Sequence, residues 1–253
     1  MTSSMYLVML CMLAGYQEDL AYIHDVGFGA FSSESAPGLL EILHQKGINK
    51  GLVVDLGCGS GIWAKALTQA GYDVLGIDIS DAFLDLARKK APKANFQKAS
   101  FLRVMLPKCD AVTSIGECLN YQFDQHSLGE IQELFARIYE SLKPGGVFIF
   151  DIAEPGYVIG MNPQKTYSQG EDWAILLEKE EDQKTHQLTR KMTIFRKIGN
   201  LYRRSEELHR VQLYKGSEIL PELQRVGFQV RVIHGYGEFK FSQAQVGFIA
   251  TKA

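Results

Sequence analysis

Leu52-Val53-Val54-Asp55-Leu56-Gly57-Cys58-Gly59-Ser60-Gly61 decides how the rest of the chain is read. A continuous apolar run ends in an acid, and three glycines then alternate with other residues before a helical pattern begins at Ile62. The run predicts a strand buried on both faces, as in a parallel sheet with helices on either side. The glycines predict a turn whose backbone comes close to a ligand, where a Cβ would stand in the way. A helix starting beyond the turn presents free N–H groups to that ligand. In open α/β sheets, nucleotide-type ligands lie in such crevices at the carboxyl ends of the strands.

The same pattern repeats. Val74-Leu75-Gly76-Ile77-Asp78 reads as a second buried strand ending in an acid, and Ser80 is placed to cap a helix over Asp81–Lys90. Asp78 lies 21 residues past Gly57, the distance at which a carboxylate meets the two ribose hydroxyls of a bound nucleoside. Two strand–turn–helix units in register predict a right-handed parallel unit. Asn95–Lys98 and Cys109–Glu117 read as the third and fourth strands, and Val147–Ile152 as the fifth.

Glycine spacing separates two kinds of nucleotide enzyme. Gly57, Gly59 and Gly61 form G-x-G-x-G, whereas the dinucleotide fingerprint is G-x-G-x-x-G. Asp-Leu-Gly-Cys-Gly-Ser-Gly resembles the first motif of class I S-adenosylmethionine-dependent methyltransferases, and Leu-Lys-Pro-Gly-Gly at 142–146 before an apolar strand is a second resemblance. The resemblance implies a Rossmann-like, mostly parallel seven-stranded sheet and S-adenosylmethionine as cofactor. Carried onto this chain, it implies that Gly57, Cys58, Gly59 and Gly61 approach the methionine part. It makes Asp55 the anchor of the turn, holding the ammonium directly or through water. Asp78 meets the ribose, Ile79 packs on the adenine, and Ser100 and Phe101 flank it. Ile115 and Gly116 close over the methionine side. Ser100 stands where the family usually carries Asp. The Asn/Asp-Pro-Pro-Tyr/Phe motif of nucleic-acid amino methylation is absent at the tip of the fourth strand, Gly116-Glu117-Cys118-Leu119-Asn120-Tyr121.

The acceptor side is less legible. Methyl transfer from a sulfonium needs alignment above all, and a base only where the nucleophile starts protonated. Glu117 at the strand tip and His209 are the candidate bases. Tyr22 and Phe28, in an N-terminal segment that often covers the cofactor in small-molecule members of the family, are candidate lid residues, with Tyr121 near the substrate. Cys58 reads as a small filler. No metal site is expected.

The remaining chain frames this core. A helical stretch covers Tyr16–Asp25, and a helix capped by Ser35 with Pro37 in its first turn follows. Ser127-x-x-Glu130 is a capping box for a helix to about Leu142. Residues 155–170 read as a loop. From 173 to 214 the pattern alternates with period two, with Leu188, Arg190, Met192, Ile194 and Arg196 on one side, which predicts about three antiparallel strands. The expected organisation is therefore a core of 16–154 and 215–253 with a β insertion at 155–214. That insertion is read as a substrate wall or a homodimer surface. Gly216–Val226 is a helix, and two closing strands follow.

Composition bounds the rest. The chain has 253 residues, 46% hydrophobic and 22% charged, with a net charge of -2, which fits a globular domain and not a strongly basic nucleic-acid binder. Its four cysteines lack zinc spacing, which predicts a reduced, cytoplasmic setting. The apolar stretch at 5–14 is too short to span a bilayer. Residues 1–15 read as an extension, with Met12 as an alternative start. The expected function is methyl transfer to N or O of a small molecule. Weighed against it are methylation of RNA or protein by a basic face on the insertion, a non-catalytic cofactor-binding domain, and a nicotinamide-dependent reductase.

Overall fold

The computed structural model describes residues 16–123, 128–160 and 162–253. The expected extension at 1–15 and Ser127 of the capping box lie outside the described residues. Among the described residues, strands β1 (Leu52–Leu56), β2 (Asp73–Asp78), β3 (Asn95–Lys98), β4 (Cys109–Ser114), β5 (Leu142–Ala153), β10 (Phe228–Ile233) and β13 (Gln245–Lys252) form one sheet. Its order is β10-β13-β5-β4-β1-β2-β3. β1 pairs in parallel with both β2 and β4, and only β13 runs antiparallel to its neighbours. The chain leaves β1 toward β2 and β3, then returns to β4 on the other side. β1 and β4 therefore flank the point where the winding reverses, where such sheets open a crevice.

Alternation along β1 explains the two packed layers. Val54 and Leu56 face α5 (Leu128–Ser141) and α6 (Gly216–Val226), joining Val112, Phe135, Phe148 and Leu223. Val53 faces the other way, toward α2 (Ala30–Gln45) and α3 (Ile62–Gln69), with Leu39, Trp63, Leu67 and Ile149. Both sides are closed, as a parallel sheet requires. Ser80 caps α4 (Asp81–Lys90) as expected, its Oγ accepting from Phe83 N at 3.2 Å.

Three elements differ from the sequence reading. α2 begins at Ala30, so Ser35 and Pro37 lie inside it. Only Phe28 and Gly29 separate it from α1 (Glu18–Gly27). Pro37 removes one helical donor, but Ser33, whose carbonyl would have received it, is exposed and open to water. β5 takes in the Lys-Pro-Gly-Gly stretch expected to precede the fifth strand, and its pairing with β4 shifts register between Cys109 and Ala111. A short hairpin, β11 (Gly235–Tyr236) with β12 (Phe239–Lys240), lies between the two closing strands.

The inserted sheet has four strands where about three were expected: β6 (Gln164–Gln169), β7 (Trp173–Asp182), β8 (Gln187–Ile198) and β9 (Leu201–Gln212). β6 falls in the stretch read as loop. Its sequence, Gln-Lys-Thr-Tyr-Ser-Gln, is an edge strand with no apolar face to betray it. One face of the sheet packs Ile175, Met192 and Ile194 on Leu20 and Ile23 of α1. Asn120 joins the sheet to the core. Its side-chain amide is fully buried, bonds Ala153 N and O at 3.0 Å each, and donates to Gln212 O at 2.6 Å.

Candidate active site

The glycine turn uses each glycine for a different purpose. Gly57, Gly59 and Gly61 all have positive φ, at 73°, 51° and 77°, where a side chain is strained. A Cβ on Gly57 would lie 2.6 Å from Cys118 Sγ. One on Gly61 would lie 2.9 Å from the Cα and Cβ of Ala87 on α4, so this glycine lets α3 and α4 approach. One on Gly59 would meet no protein atom within 4 Å. Gly59 borders a cavity of about 430 Å³ at the carboxyl ends of β1, β2 and β4, within the size range of small-ligand sites.

The cavity brings together most of the residues singled out for the cofactor. Gly57, Cys58, Gly59, Asp78, Ile79, Ser100, Phe101, Ile115 and Gly116 all border it. Asp78 is buried. Its Oδ2 accepts from Gly59 N at 2.8 Å and its Oδ1 from Ser80 N at 2.9 Å, which fixes the carboxylate against the turn. Burial raises its pKa, and these backbone donors oppose the rise. Burial pushes the Cys58 thiol well above its ordinary range, in keeping with a filler and not a nucleophile.

Two residues assigned to the cofactor lie elsewhere. Gly61 faces α4, as described. Asp55 is buried in the layer beneath the cavity wall, accepting from Thr113 Oγ1 at 2.7 Å, while Thr113 Oγ1 accepts from Trp63 Nε1 at 3.1 Å. Burial raises the Asp55 pKa to about 7, against the Thr113 hydrogen bond. Direct contact with a ligand ammonium is thus not what this geometry offers. Asp55 ties β1 to β4 and α3 below the turn.

At the other end of the cavity stand Glu117, Tyr121, Tyr157, Tyr16 and Arg190. The loop carrying Glu117 is held by Asp151, a fully buried acid at the end of β5. Asp151 accepts from the backbone N–H of Gly116 and Glu117, from Tyr236 Oη and from Gln245 Nε2, all at 2.8–2.9 Å. Burial lifts its pKa to about 6, with these donors opposing. Arg190 reaches in from β8. Its Nη2 donates to Glu117 Oε2 at 2.8 Å and its Nη1 to Tyr121 Oη at 2.6 Å. Its guanidinium lies 5.1 Å from the Tyr157 ring centre and 5.5 Å from that of Tyr121, a cation–π distance. The Oη atoms of Tyr121 and Tyr16 are 3.0 Å apart.

Two further expectations are corrected. His209 is buried one layer behind this wall, its Nε2 2.9 Å from Glu207 Oε2 and its ring against those of Tyr16 and Tyr121. It does not border the cavity. Tyr22 also turns away. Its hydroxyl donates to Asp172 Oδ2 at 3.1 Å and its ring lies 3.6 Å from the Arg196 guanidinium, against the inserted sheet. Phe28 does border the cavity, half-exposed, beside His24. Burial pushes the His24 pKa down to about 4, so the ring is neutral near pH 7. Helix α1 roofs the site and is fastened at both ends: Ser80 Oγ donates to Tyr16 O at 2.7 Å, and Ser60 Oγ to Asp25 Oδ1 at 2.6 Å.

Sequence reasoning missed Arg190 and Asp151 as site residues. Arg190 had a readable signal, since it shares its side of β8 with Leu188, Met192 and Ile194, all of them buried. Asp151 had a weaker one, an acid near the end of an apolar strand. Among the described residues, no group of three or more His, Cys, Asp or Glu side chains could hold a metal ion. Among the same residues, no helix is long and apolar enough to cross a membrane.

A Rossmann-like sheet with a glycine turn, a strand-end acid and one cavity shared by a nucleoside-type end and a polar end defines a nucleotide-cofactor enzyme. Comparison with known proteins narrows this. Residues 53–146 match the family described as "Methyltransferase domain". A putative methyltransferase of Bacillus subtilis is 27% identical over 189 residues, covering 72% of this chain and 74% of that protein. The structure of an S-adenosylmethionine-dependent methyltransferase from Clostridium acetobutylicum superposes with a TM-score of 0.78 at 19% identity, over 92% of this chain and 97% of that one. A S-adenosylmethionine-bound amino pentose methyltransferase from Micromonospora echinaspora gives 0.74 at 16% identity, over 94% and 98%. Residues 53–146 thus form a methyltransferase domain, and the fold of the chain is that of S-adenosylmethionine-dependent methyltransferases with an antiparallel β insertion.

Proposed function

We propose that the chain moves a methyl group to a nitrogen or oxygen of a small molecule that enters the Arg190–Glu117 end of the cavity. The observation that carries this reading is the enclosure of that end. The ion-paired side chains of Glu117 and Arg190 are each only 12% exposed, beneath α1 and the inserted sheet, which suits a small acceptor better than a polymer. The basic face weighed as the alternative on the insertion is also broken up. Arg190 points inward, Arg196 pairs with Asp172, Arg203 with Asp19 and Arg204 with Glu206. Among the relatives, an N,N-dimethyltransferase of a dTDP-amino sugar from Streptomyces venezuelae is 26% identical over 140 residues, covering 58% of that protein.

The residues divide the work as follows. Asp78 receives the ribose hydroxyls, Ile79 and Phe101 hold the adenine, and Ser100 borders its edge. Gly57, Cys58 and Gly59 leave room for the methionine part, with Ile115 and Gly116 across from them. The cofactor supplies an electrophilic methyl on a good leaving group. The chain supplies alignment, which is where roughly 7–11 kcal/mol of such a barrier can come from. Glu117 is the proposed proton acceptor for a nucleophile that starts protonated, and Tyr121 a positioning hydroxyl. The test is transfer of labelled methyl groups to a panel of amines, amino sugars, phenols and carboxylic acids, with tRNA as comparison. A Glu117→Gln variant should slow transfer to the best acceptor by about 10²–10⁴-fold. Transfer to tRNA alone would overturn the small-molecule reading, and an unaltered rate would remove Glu117 as base.

A further inference from the structure

Arg190 and Lys179 are direct cross-strand partners on β8 and β7. Like charges facing each other across a sheet repel. Both are drawn inward. Arg190 is 12% exposed at the cavity wall, and Lys179 Nζ lies 5.3 Å from the centre of the same Tyr157 ring that Arg190 covers. Burial and the Arg190 charge lower the Lys179 pKa.

Of the carboxylates nearby, Glu117 is the one that acts on both cations. Glu117 answers one, through Oε2. Glu181 holds the backbone N–H of Gly156 and Val158, at 2.8 and 2.9 Å, and is not among the charges that act on Lys179. Glu207 is engaged with Gln17 N and His209, and Asp151 with its four donors, and neither touches Arg190 or Lys179. His24, the imidazole that borders the cavity, is neutral near pH 7. One carboxylate thus stands against two cations at the cavity wall, where a further counter-charge is worth more than in open water.

Geometry says where a counter-ion would sit. A guanidinium has five N–H donors in a planar fork. Among the described residues, Glu117 and Tyr121 accept one each, and the Tyr157 ring lies 5.1 Å from the guanidinium. The remaining donors belong to a group that borders the cavity. A planar carboxylate matches such a fork.

We propose that the methyl acceptor carries a carboxylate, which Arg190 binds at the end of the cavity opposite Asp78. Tyr157 and Tyr121 flank this group and fix the guanidinium plane, while Glu117 orients the fork. The acceptor's nucleophilic atom then lies between this anchor and the glycine turn. The assignment rests on the methyltransferase reading and adds the class of acceptor to it.

The test uses the full chain saturated with S-adenosylhomocysteine, with benzoate and benzamide as probes that differ in charge and not in shape. Calorimetry and thermal unfolding should show benzoate binding at millimolar concentrations and benzamide binding at least tenfold more weakly. Arg190→Met should weaken benzoate by about 30-fold or more, the loss expected on truncating one partner of a buried charged pair. Since Arg190→Met strands the Glu117 carboxylate, the charge-balanced Arg190→Met/Glu117→Gln variant is measured as well, and should fold and show the same loss. Equal binding of the two probes, no binding of benzoate at tens of millimolar, or full benzoate binding by the double variant would overturn the proposal. Failure of S-adenosylhomocysteine to bind in the first step would instead count against the cofactor reading.

Discussion

Gly59 and Gly61 stand two residues apart with similar left-handed backbones, yet alanine at each should fail in a different way. Both pay the strain of a Cβ in that region, about 1–2 kcal/mol. At Gly61 the added methyl also meets Ala87 Cα and Cβ at 2.9 Å. Neither is the flexible end of a side chain, so α3 and α4 must part, for about another 1–3 kcal/mol. Gly61→Ala should therefore cost about 2–5 kcal/mol, and at roughly 2–4 °C per kcal/mol for a chain of this size it should melt about 4–20 °C lower. Gly59→Ala meets no protein atom within 4 Å, so it should lose only the strain, about 2–8 °C. Its methyl enters the space of the ligand, and the same overpacking range then falls on binding, as about 5–150-fold in affinity. Thermal unfolding with and without S-adenosylhomocysteine separates the two effects. At about 100 times Kd the ligand adds roughly 2.7 kcal/mol to the native protein. That gain should shrink in Gly59→Ala and persist in whatever fraction of Gly61→Ala folds. A Gly59→Ala protein with the full ligand-induced shift, or a Gly61→Ala protein as stable as Gly59→Ala, would refute the division of labour.

Asp78→Asn should weaken S-adenosylhomocysteine by about 10–100-fold, the value of one hydrogen bond to a charged acceptor, as read by calorimetry; unchanged affinity would remove Asp78 from the ribose site. Asp55 should make the ligand-free protein lose stability as pH rises. Its folded pKa, about 7, lies above its unfolded value, so the native state holds the proton more tightly, and the stability this brings is full in acid and gone once pH passes the folded value. Asp55→Asn keeps an oxygen for Thr113 without a charge to bury, so its melting temperature relative to wild type should improve from pH 5 to pH 8; a relative loss over that range would contradict the burial argument. Asn120→Ala removes three hydrogen bonds that join the turn after β4 to β5 and β9, and should cost at least about 2 kcal/mol in urea unfolding. A loss within experimental error would mean that the inserted sheet is held by other contacts.

How much of this was legible in the sequence follows from what each residue's pattern records. Val53, Val54 and Leu56 announce a strand covered on both sides, and Ser80 announces the start of α4, because burial and capping are local demands. The three glycines announce a tight turn, but not which of them faces a ligand. That depends on Ala87, 26 residues beyond Gly61, coming to rest against it. Asp55 and Asp78 look alike as acids ending buried strands. One borders the cavity and the other is tied beneath it by Thr113 on a neighbouring strand. β6 stayed hidden because an edge strand of polar residues has no period of apolar side chains to show. His209 and Arg190 are opposite one another in the pairing of β8 and β9, yet only Arg190 is long enough to reach the cavity from that row. The acceptor end as a whole is assembled from the segment after β4, from β8 and from the Glu154–Val158 segment, far apart in the chain, and no single stretch carries it.

The most direct test of the central claim is a calorimetric titration of the wild-type chain with S-adenosylhomocysteine, run beside one with NADH. One saturable site per chain for S-adenosylhomocysteine, with no heat from NADH, is the result the cavity and its glycine turn predict. Binding of NADH alone, or of neither ligand, would contradict the assignment of that cavity to a methyl-donor nucleoside.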